Sequence, residues 1–280
     1  MVGSGPADRH PSITPTGDDA QGGQAHPRSV GFDVPAERYD RFMGRFSVGL
    51  APQLADAAGV APGMGVLDVG CGPGALTEVL AARVGASQVA AVDPSPAFVR
   101  VCGERVPGAD VREGTAEALP FEDDAFDVAL ACLVTGFMKD AQAGVVEMSR
   151  VTRPGGRVAA CFWDKDRHQM LEAAMGAVNA GHPLEGPPPT FVGGSRGELR
   201  TLLEHAGLTV EADDELTVSV TYETFDDFWQ PVLRAPGPLE VIMASMTEDE
   251  LAAAEAHARA GLPDEPFTLA ATAWYAVGAV

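Results

Sequence analysis

The sequence predicts an α/β fold in which a doubly wound, mostly parallel sheet of seven strands carries additional helical lid segments. Three features of the 280-residue chain support this prediction. Between residues 65 and 163, short apolar segments alternate with helical stretches of about ten residues, a rhythm typical of strand–helix–strand units. The apolar segments are almost continuously hydrophobic, as expected for parallel strands covered on both faces. Two alternating segments, 216–223 and 267–280, complete the seven strands.

The elements of the core follow one another at short intervals, and right-handed crossovers would place helices on both faces of the sheet. Strands are predicted at 65–70, 88–93, 109–116, 126–134 and 156–163, with helices at 74–85, 95–106 and 140–152 between them. Before the core, helical apolar spacing over 36–58 is interrupted at Gly44 and Pro52. These two breakers predict two short helices.

The rhythm changes after Asp164. A helical stretch and a Pro/Gly-rich loop occupy 167–194. Ser195, with Glu198 three residues later, fits a capping box at the start of a helix over 195–208. Residues 225–261 are predicted to form helices separated by "RAPGPLE".

Composition divides the chain into a leader and one domain. Residues 1–28 are rich in Gly, Pro, Ser, Asp and Gln and contain almost nothing to bury, which predicts a disordered leader. Residues 29–280 are predicted to form a single domain with a core over 60–163. The segments assigned to lids and substrate recognition are 34–58, 164–194 and 225–261.

The charge of the chain argues against nucleic-acid and membrane partners. The formal net charge is −21 and no basic run occurs, whereas nucleic-acid binding requires a basic face. An anionic membrane surface would be repelled at long range for the same reason. The acidic residues are interpreted as a solvated surface that keeps the protein soluble.

Cysteine usage and hydropathy indicate a cytoplasmic, soluble protein. The four cysteines, Cys71, Cys102, Cys132 and Cys161, are widely spaced. They lack the C-x-x-C spacing of a zinc or redox site, so no metal is predicted. The amino terminus has no apolar signal-peptide core, and no apolar run approaches membrane-spanning length.

The stretch "LDVGCGPG" (67–74) places three glycines directly after an apolar strand. Gly70, Gly72 and Gly74 give the G-x-G-x-G pattern of loops that bind S-adenosylmethionine (SAM). With Ala75 they also satisfy the dinucleotide pattern G-x-G-x-x-[G/A]. A P-loop is excluded because no G-K-[ST] follows. The glycines alone therefore leave SAM and a nicotinamide dinucleotide as alternatives.

Two aspartates narrow the choice of cofactor. Asp68 lies inside the end of the first strand, where an unpaired buried carboxylate is costly. An anionic pyrophosphate gives this carboxylate no partner, whereas a ligand with a cationic amino-acid tail and a sulfonium does. Asp93 ends the second strand, a place from which a carboxylate can accept both hydroxyls of a ribose. Asp93 therefore indicates a nucleoside cofactor, and Asp68 favours SAM.

Four segments resemble class I SAM-dependent methyltransferases, specifically the small-molecule type of the ubiquinone/menaquinone C-methyltransferases. They are "VLDVGCGPG", "VDPS", "AEALPFEDDAFDV" and "RVTRPGG", which occur in order and with the usual spacing across about 65–163. The segment "YDRFMGR" (39–45) also resembles a piece common in this group. The resemblance implies a Rossmann-like methyltransferase fold with SAM as the cofactor.

The resemblance also implies roles for individual residues. Gly70, Gly72 and Gly74 would form the floor beneath the methionine part of SAM, Asp68 would reach its ammonium and Asp93 its ribose. Pro94 would pack beside the adenine, Thr115 and Ala116 would contact its amino group, and Leu133 and Val134 would line the methyl-donor side. Thr115 stands where the family usually has an acid. Tyr39 and Arg45 either close over the methionine carboxylate or belong to a packed helix with a surface arginine.

The predicted function is methyl transfer from SAM to a small, partly apolar acceptor. Phe191 lies in the loop 164–194, which is assigned to substrate recognition. Phe228 and Trp229 lie in 225–261, where they serve either the acceptor or the core. The alternatives are a SAM-fold protein with non-methylating chemistry or cofactor binding only, and a nicotinamide oxidoreductase. The acceptor, the methylated atom (oxygen, nitrogen or carbon) and the oligomeric state stay open.

No catalytic residue is assigned. The segment "LVTGFMKD" (133–140) lacks the histidines that many relatives have after the fourth strand. The remaining candidates for a general base are His168, His182 and His205. Each of them is better explained as a surface histidine than as a base.

Overall fold

A computed structural model describes Met1 and residues 35–183, 190–236 and 238–280. Beyond Met1, the leader predicted at 1–28 lies outside the described residues, as do 184–189 of the loop after the core. Among the helices of the described part, none is both long and apolar enough to cross a bilayer.

The described residues form a seven-stranded sheet flanked by helices, which confirms the predicted fold class. The strands are β1 (Val66–Val69), β2 (Val89–Asp93), β3 (Asp110–Glu113), β4 (Phe126–Cys132), β5 (Thr152–His168), β6 (Thr209–Tyr222) and β7 (Phe267–Ala279). The helices are α1 (Ala36–Tyr39), α2 (Arg45–Ala57), α3 (Ala75–Val84), α4 (Pro96–Arg105), α5 (Ala141–Val151), α6 (Gln169–Gly181), α7 (Glu198–His205), α8 (Phe225–Leu233), α9 (Pro238–Ser245) and α10 (Glu248–Gly261).

The strand order is β3-β2-β1-β4-β5-β7-β6. The first five strands in this order pair in parallel, and β7 runs antiparallel between β5 and β6. The chain therefore leaves β1 towards β2 on one side and returns to β4 on the other. Such a reversal of strand order opens a crevice at the carboxyl ends of the strands, where α/β proteins bind ligands.

Alternate side chains of the strands enter two apolar clusters, one on each face of the sheet. Val66 belongs to a large cluster with residues of α2, α3, α6, α8 and α10. Its neighbour Leu67 belongs to a second cluster with residues of α5 and α7. Since side chains alternate along a strand, Asp68 points to the same face as Val66.

Two strands extend beyond the segments predicted for them. β5 continues to His168, and β6 begins at Thr209, ahead of the predicted start at residue 216. The stretch "EADDE" (211–215) pairs with β7. Because β6 is an edge strand, its side chains can stay exposed while β7 supplies the backbone hydrogen bonds, and no apolar pattern marks the strand.

The predicted helix break at Pro52 is wrong. Pro52 lies inside α2. Because proline has no N–H, the carbonyl of Val48 lacks its helical hydrogen-bond donor. Val48 is 63 % exposed, so a water molecule can donate to this carbonyl instead. The interruption occurs earlier, in a π-helical turn over Asp40–Gly44.

The capping box predicted at Ser195 is also wrong. α7 begins after Gly197, which caps it without a side chain. Only the glutamate half of the motif is present, since the Glu198 carboxylate accepts from the backbone N–H of Ser195 at 3.3 Å and also from that of Gly193 at 2.9 Å. A complete capping box occurs at Thr247 and Glu250 before α10.

The aromatic residues of α8 belong to the core. Phe228 and Trp229 are each 1 % exposed. Their rings lie 6.4 Å apart, and Phe228 also meets Tyr222 at 5.6 Å. Of the two alternatives for Phe228 and Trp229, the structure therefore confirms that they are core residues.

Replacing Trp229 with alanine should lower the free energy of unfolding by about 3–5 kcal/mol, because it removes a fully buried aromatic side chain. Urea unfolding followed by circular dichroism measures the loss. Val241→Ala is the control, since Val241 is 64 % exposed and its truncation should change stability by no more than about 0.5 kcal/mol. Equal, small effects of both substitutions would contradict this placement of Trp229.

Candidate active site

The glycine turn after β1 is held between the carboxyl ends of β2 and β4. The N–H groups of Gly70 and Cys71 both donate to the carbonyl of Val92, at 2.7 and 3.0 Å. Gly70 has φ +73°, and a Cβ there would lie 2.5 Å from Cγ2 of Val134. Glycine is required at this position both for the backbone conformation and for the close approach.

The other two glycines of the turn differ in their surroundings. Gly74, with φ +107°, precedes α3, and a Cβ there would lie 3.2 Å from Sγ of Cys102. Gly72, with φ +53°, has no heavy atom within 4 Å of where its Cβ would be. The backbone at Gly72 therefore borders open space.

Asp68 is a carboxylate buried at the end of β1, 1 % exposed. Its Oδ2 accepts from the Thr77 hydroxyl at 2.6 Å. Its Oδ1 is buried and has no hydrogen-bond partner among the described residues. Burial is the main cause that raises the pKa of Asp68 from 3.8 to about 7, since a low-dielectric environment disfavours the charged form.

Asp93 joins the end of β2 to the glycine turn. Its Oδ2 accepts from the Gly72 N–H at 2.9 Å, and its Oδ1 accepts from the Ser95 N–H at 2.8 Å. The residue is 7 % exposed, and burial raises the pKa of its carboxyl above the ordinary value. Pro94, next in the chain, is exposed.

The remaining predicted cofactor residues lie at the ends of β3 and β4. Thr115 is exposed, and Ala116 beside it is buried; the Thr115 carbonyl accepts from the Ala118 N–H at 3.2 Å. Leu133 follows β4 with φ +65°, and its N–H donates to the carbonyl of Cys161 at 2.9 Å. Their positions agree with the carboxyl-end crevice of the sheet.

Tyr39 is packed against α4. Its ring centroid lies 5.8 Å from that of Phe98. Its hydroxyl bonds with Ser47, and burial raises the pKa of Tyr39 to about 12. The phenol is therefore neutral at physiological pH.

Arg45 is engaged away from the glycine turn. Its guanidinium bonds both carboxylate oxygens of Asp227, at 2.9 and 3.1 Å, and the carbonyl of Thr221 at 2.8 Å. It also lies over the Tyr222 ring at 4.4 Å. These contacts match the packed-helix alternative for Arg45, in which the side chain joins α2 to α8 and β6.

None of the three candidate histidines is a free surface group beside the turn. His168 is 2 % exposed and lies between the rings of Phe46 and Trp163, at 5.0 and 4.7 Å. The surface interpretation of this residue is therefore wrong. Burial lowers the pKa of His168 to about 4, so its ring is neutral at pH 7.

The other two histidines lie at or just after the ends of helices, outside the core. His182 follows α6 and contacts Glu250 at 2.9 Å. His205 ends α7 and is exposed. Among the described residues, the structure thus places no histidine at the glycine turn.

Some features of the site went unnoticed in the sequence. Thr77, in the first turn of α3, is the donor to Asp68; a search for a hydroxyl near a buried carboxylate could have found it. The turn after β4 is packed tightly, because a Cβ at Gly136 would lie 2.4 Å from the Phe162 ring. The rings of Phe137, Phe162 and Phe191 cluster beside it, with centroids 5.4–5.8 Å apart.

Two surface clefts lie elsewhere. One of about 510 Å³ borders α7, and one of about 560 Å³ opens beside the π-helical turn, α2 and β6. The polar groups that converge at the glycine turn line neither cleft. The chemistry of the turn, and not the volume of these clefts, marks the candidate site.

Comparisons with known proteins agree with this geometry. Residues 67–160 match the family described as "Methyltransferase domain". A demethylmenaquinone methyltransferase of Mycolicibacterium paratuberculosis is 37 % identical over 142 residues, which cover 49 % of this chain and 60 % of that protein. The chain spans 42–61 % of the length of the curated relatives it matches.

Solved structures with the same fold are more distant in sequence. A chain solved in complex with the Haloferax volcanii methyltransferase activator Trm112 superposes with a TM-score of 0.56 at 15 % identity, covering 90 % of this chain and 97 % of that one. The (4+2)-cyclase SpnF gives a TM-score of 0.53 at 19 % identity, covering 83 % and 81 %. These likenesses establish the fold.

The family match begins at the second residue of β1 and ends within β5. It therefore contains the glycine turn, Asp68, Asp93 and the exit of β4. Residues 67–160, about a third of the chain, are thus similar to a methyltransferase domain.

Proposed function

We propose that this chain binds SAM at the carboxyl ends of β1 and β2 and transfers its methyl group to a small, partly apolar acceptor. The observation that carries the proposal is the buried, unpartnered Oδ1 of Asp68. A buried carboxylate oxygen without a donor is costly, and a cationic group beside it removes that cost. SAM has an ammonium and a sulfonium, whereas a dinucleotide would bring an anionic pyrophosphate to this turn.

The glycine turn and Asp93 fit the rest of the methionine and ribose parts. The open space at Gly72 leaves room for a ligand against the backbone. Each carboxylate oxygen has two acceptor sites. After accepting from Gly72 and Ser95, the two oxygens of Asp93 therefore keep one site each for the ribose hydroxyls.

The remaining contacts with the cofactor are proposed from where the residues lie around the glycine turn. Pro94, Thr115 and Ala116 would border the adenine, and Leu133 would line the side of the transferred methyl. Tyr39 would cover the site from α1. Arg45 is left out of the proposal, because Asp227 and the Thr221 carbonyl already hold its guanidinium.

Bound SAM supplies an activated methyl group on a positively charged sulfur. The protein has to align the acceptor with that methyl and exclude water, and alignment alone can contribute about 7–11 kcal/mol. No catalytic base is part of the proposal. His168 is neutral and enclosed by aromatic rings. His182 follows α6 and His205 ends α7, both away from the turn.

A small, partly apolar acceptor is supported by two observations. The exit of β4 carries the aromatic cluster of Phe137, Phe162 and Phe191, with Phe137 49 % exposed. A relative that shares 37 % of the matched residues is named a demethylmenaquinone methyltransferase. The segments 34–58, 164–194 and 225–261 would then contribute acceptor specificity within one domain over 29–280.

The alternative is a protein that keeps the fold and the cofactor without transferring a methyl group. The likeness to a cyclase shows that the fold by itself does not determine the chemistry. The relative named above favours methyl transfer. Formation of S-adenosylhomocysteine from SAM in the presence of a panel of small apolar acceptors would distinguish the two.

S-adenosylhomocysteine, the demethylated form of SAM, should raise the melting temperature of the protein. A ligand at 100 times its dissociation constant stabilises by about 2.7 kcal/mol. A thermal-shift assay with S-adenosylhomocysteine, SAM, NADH and NADPH measures this effect. A shift with NADH and none with S-adenosylhomocysteine would overturn the proposal.

Gly72→Ala should abolish most of the binding of S-adenosylhomocysteine while leaving the protein folded. The added methyl meets no protein atom but enters the space of the ligand. Gly197→Ala is a matched control, because Gly197 lies in the left-handed region (φ +80°, ψ −6°) and has nothing within 4 Å of its Cβ position. Both substitutions should cost about 1 kcal/mol of stability. Isothermal titration calorimetry should find binding weakened at least tenfold in the Gly72 variant only.

The affinity for S-adenosylhomocysteine should fall as the pH drops below 7. An ammonium requires the ionised carboxylate, and burial raises the pKa of Asp68 to about 7, so below that pH a proton has to leave before the ligand binds. The fall approaches tenfold per pH unit. Asp68→Asn should weaken binding and flatten this dependence in titrations from pH 6 to pH 8.

The ligand-free protein should show the linked effect on stability. The folded-state pKa of Asp68 lies above the unfolded value of 3.8, so its contribution to stability is present below pH 4 and is lost as the pH rises through 7. Asp68→Asn should remove this loss in urea unfolding at pH 5 and pH 8. An unchanged pH dependence of both binding and stability in the Asn variant would contradict the assignment.

A further inference from the structure

The two oxygens of Asp68 have unequal surroundings. Oδ2 accepts from the Thr77 hydroxyl at 2.6 Å, whereas Oδ1 has no partner among the described residues. Thr77 is 0 % exposed and lies in the first turn of α3, directly after the glycine turn. A carboxylate held through one oxygen cannot rotate freely, so the direction of the other oxygen is set by Thr77.

The Thr77 hydroxyl is itself oriented by a thiol. Sγ of Cys102, on α4, donates to Oγ1 of Thr77 at 3.4 Å. Because the threonine oxygen accepts from Cys102, its single proton is directed to Asp68. Cys102 is 0 % exposed and in turn bonds with the side chain of Cys71 in the glycine turn. Hydrogen bonds therefore link Cys71 in the turn to Cys102 on α4, Cys102 to Thr77 on α3, and Thr77 to Asp68 on β1.

The groups that face Asp68 supply no positive charge. The described groups that face it are one carboxyl and three thiols. The carboxyl is that of Asp93 on β2, and the thiols are those of Cys71 in the glycine turn, Cys102 on α4 and Cys132 on β4. No basic side chain is among the described groups that act on the Asp68 pKa. The free oxygen thus lies in surroundings that favour an external cation.

We infer that Thr77 is a positioning residue for recognition of the ligand's amino-acid tail. Its hydroxyl holds Oδ2 of Asp68 so that Oδ1 is presented to the ammonium group. This inference rests on the proposed function and deepens it. It predicts that Thr77 affects ligands that have an ammonium tail and spares ligands that lack one.

Two probes separate these ligand classes. S-adenosylhomocysteine contains the amino-acid tail, whereas 5′-methylthioadenosine keeps the adenosine and the thioether sulfur without the tail. The ratio of their affinities reports the contacts of the amino-acid tail, that is, of its ammonium, its carboxylate and its methylene groups, and the effect of Thr77 is the change in that ratio. Contacts with the ribose and the adenine are common to both and cancel in the ratio.

Thr77→Val keeps the side-chain shape and removes the donor. Calorimetry at pH 7.5 should find S-adenosylhomocysteine bound about 10- to 100-fold more weakly, the range for one hydrogen bond to a charged group, and methylthioadenosine changed by less than about twofold. Thr77→Ser should restore the affinity for S-adenosylhomocysteine. The pH at which that affinity begins to fall should be higher in the valine variant, because the carboxylate has lost a stabilising donor.

Thr152→Val is the matched control. Thr152 is also 0 % exposed, and its hydroxyl donates to the Met148 carbonyl at 2.7 Å, away from the glycine turn. It should lose stability without changing the affinity ratio. If Thr77→Val does not fold, Thr77→Ala takes its place in the same comparison.

The outcomes distinguish failure of the positioning role of Thr77 from failure of the proposed function. Equal weakening of both probes by the Thr77 substitutions, or no weakening of either, overturns the positioning role. Wild-type protein that binds neither probe overturns the proposed function itself. Selective loss of S-adenosylhomocysteine binding, with rescue by serine, supports the inference.

Discussion

The turn after β1 passes so close to the exit of β4 that it has no room for a side chain at Gly70. A Cβ there would overlap with Val134, and the N–H groups of Gly70 and Cys71 converge on the one carbonyl of Val92. These contacts fasten the turn to both neighbours of β1. The other contacts of the site depend on this placement, because it brings Gly72 to Asp93 and Gly74 to Cys102.

The carboxylates of Asp68 and Asp93 are buried around this turn. They differ in the hydrogen-bond donors that offset the cost of their burial. Asp93 is satisfied on both oxygens by backbone N–H groups, so it stabilises the turn in the absence of ligand. Asp68 accepts from the Thr77 hydroxyl at Oδ2, while its Oδ1 has no partner among the described residues, and burial keeps its pKa near 7. Because Oδ1 of Asp68 has no donor in the described part of the chain, the cost of burying this carboxylate is only partly offset. This is the physical basis of the proposed selectivity for a cationic ligand.

Arginine contacts join the amino-terminal helices to the rest of the molecule. Arg45 in α2 pairs with Asp227 in α8, and Arg38 in α1 pairs with Glu240 in α9 at 2.8 Å. Asp40, in the π-helical turn, pairs with Arg105 at the end of α4. This segment thus bridges the glycine-turn side of the sheet and the helices that follow β6. Tyr39, placed between these contacts, is positioned by them over α4.

The sequence alone was sufficient for the order of the core strands and helices, the glycine turn and the position of Asp68 and Asp93 at the ends of their strands. These features depend on local patterns, namely apolar runs, glycines after a strand and carboxylates at strand ends. The extent of β6, the partner of Arg45, the burial of His168 and the hydrogen bond from Thr77 to Asp68 could not be read in the same way. Each of them depends on contacts between segments far apart in the chain, such as the pairing of β6 with β7 and of Arg45 with Asp227, and only folding brings such segments together.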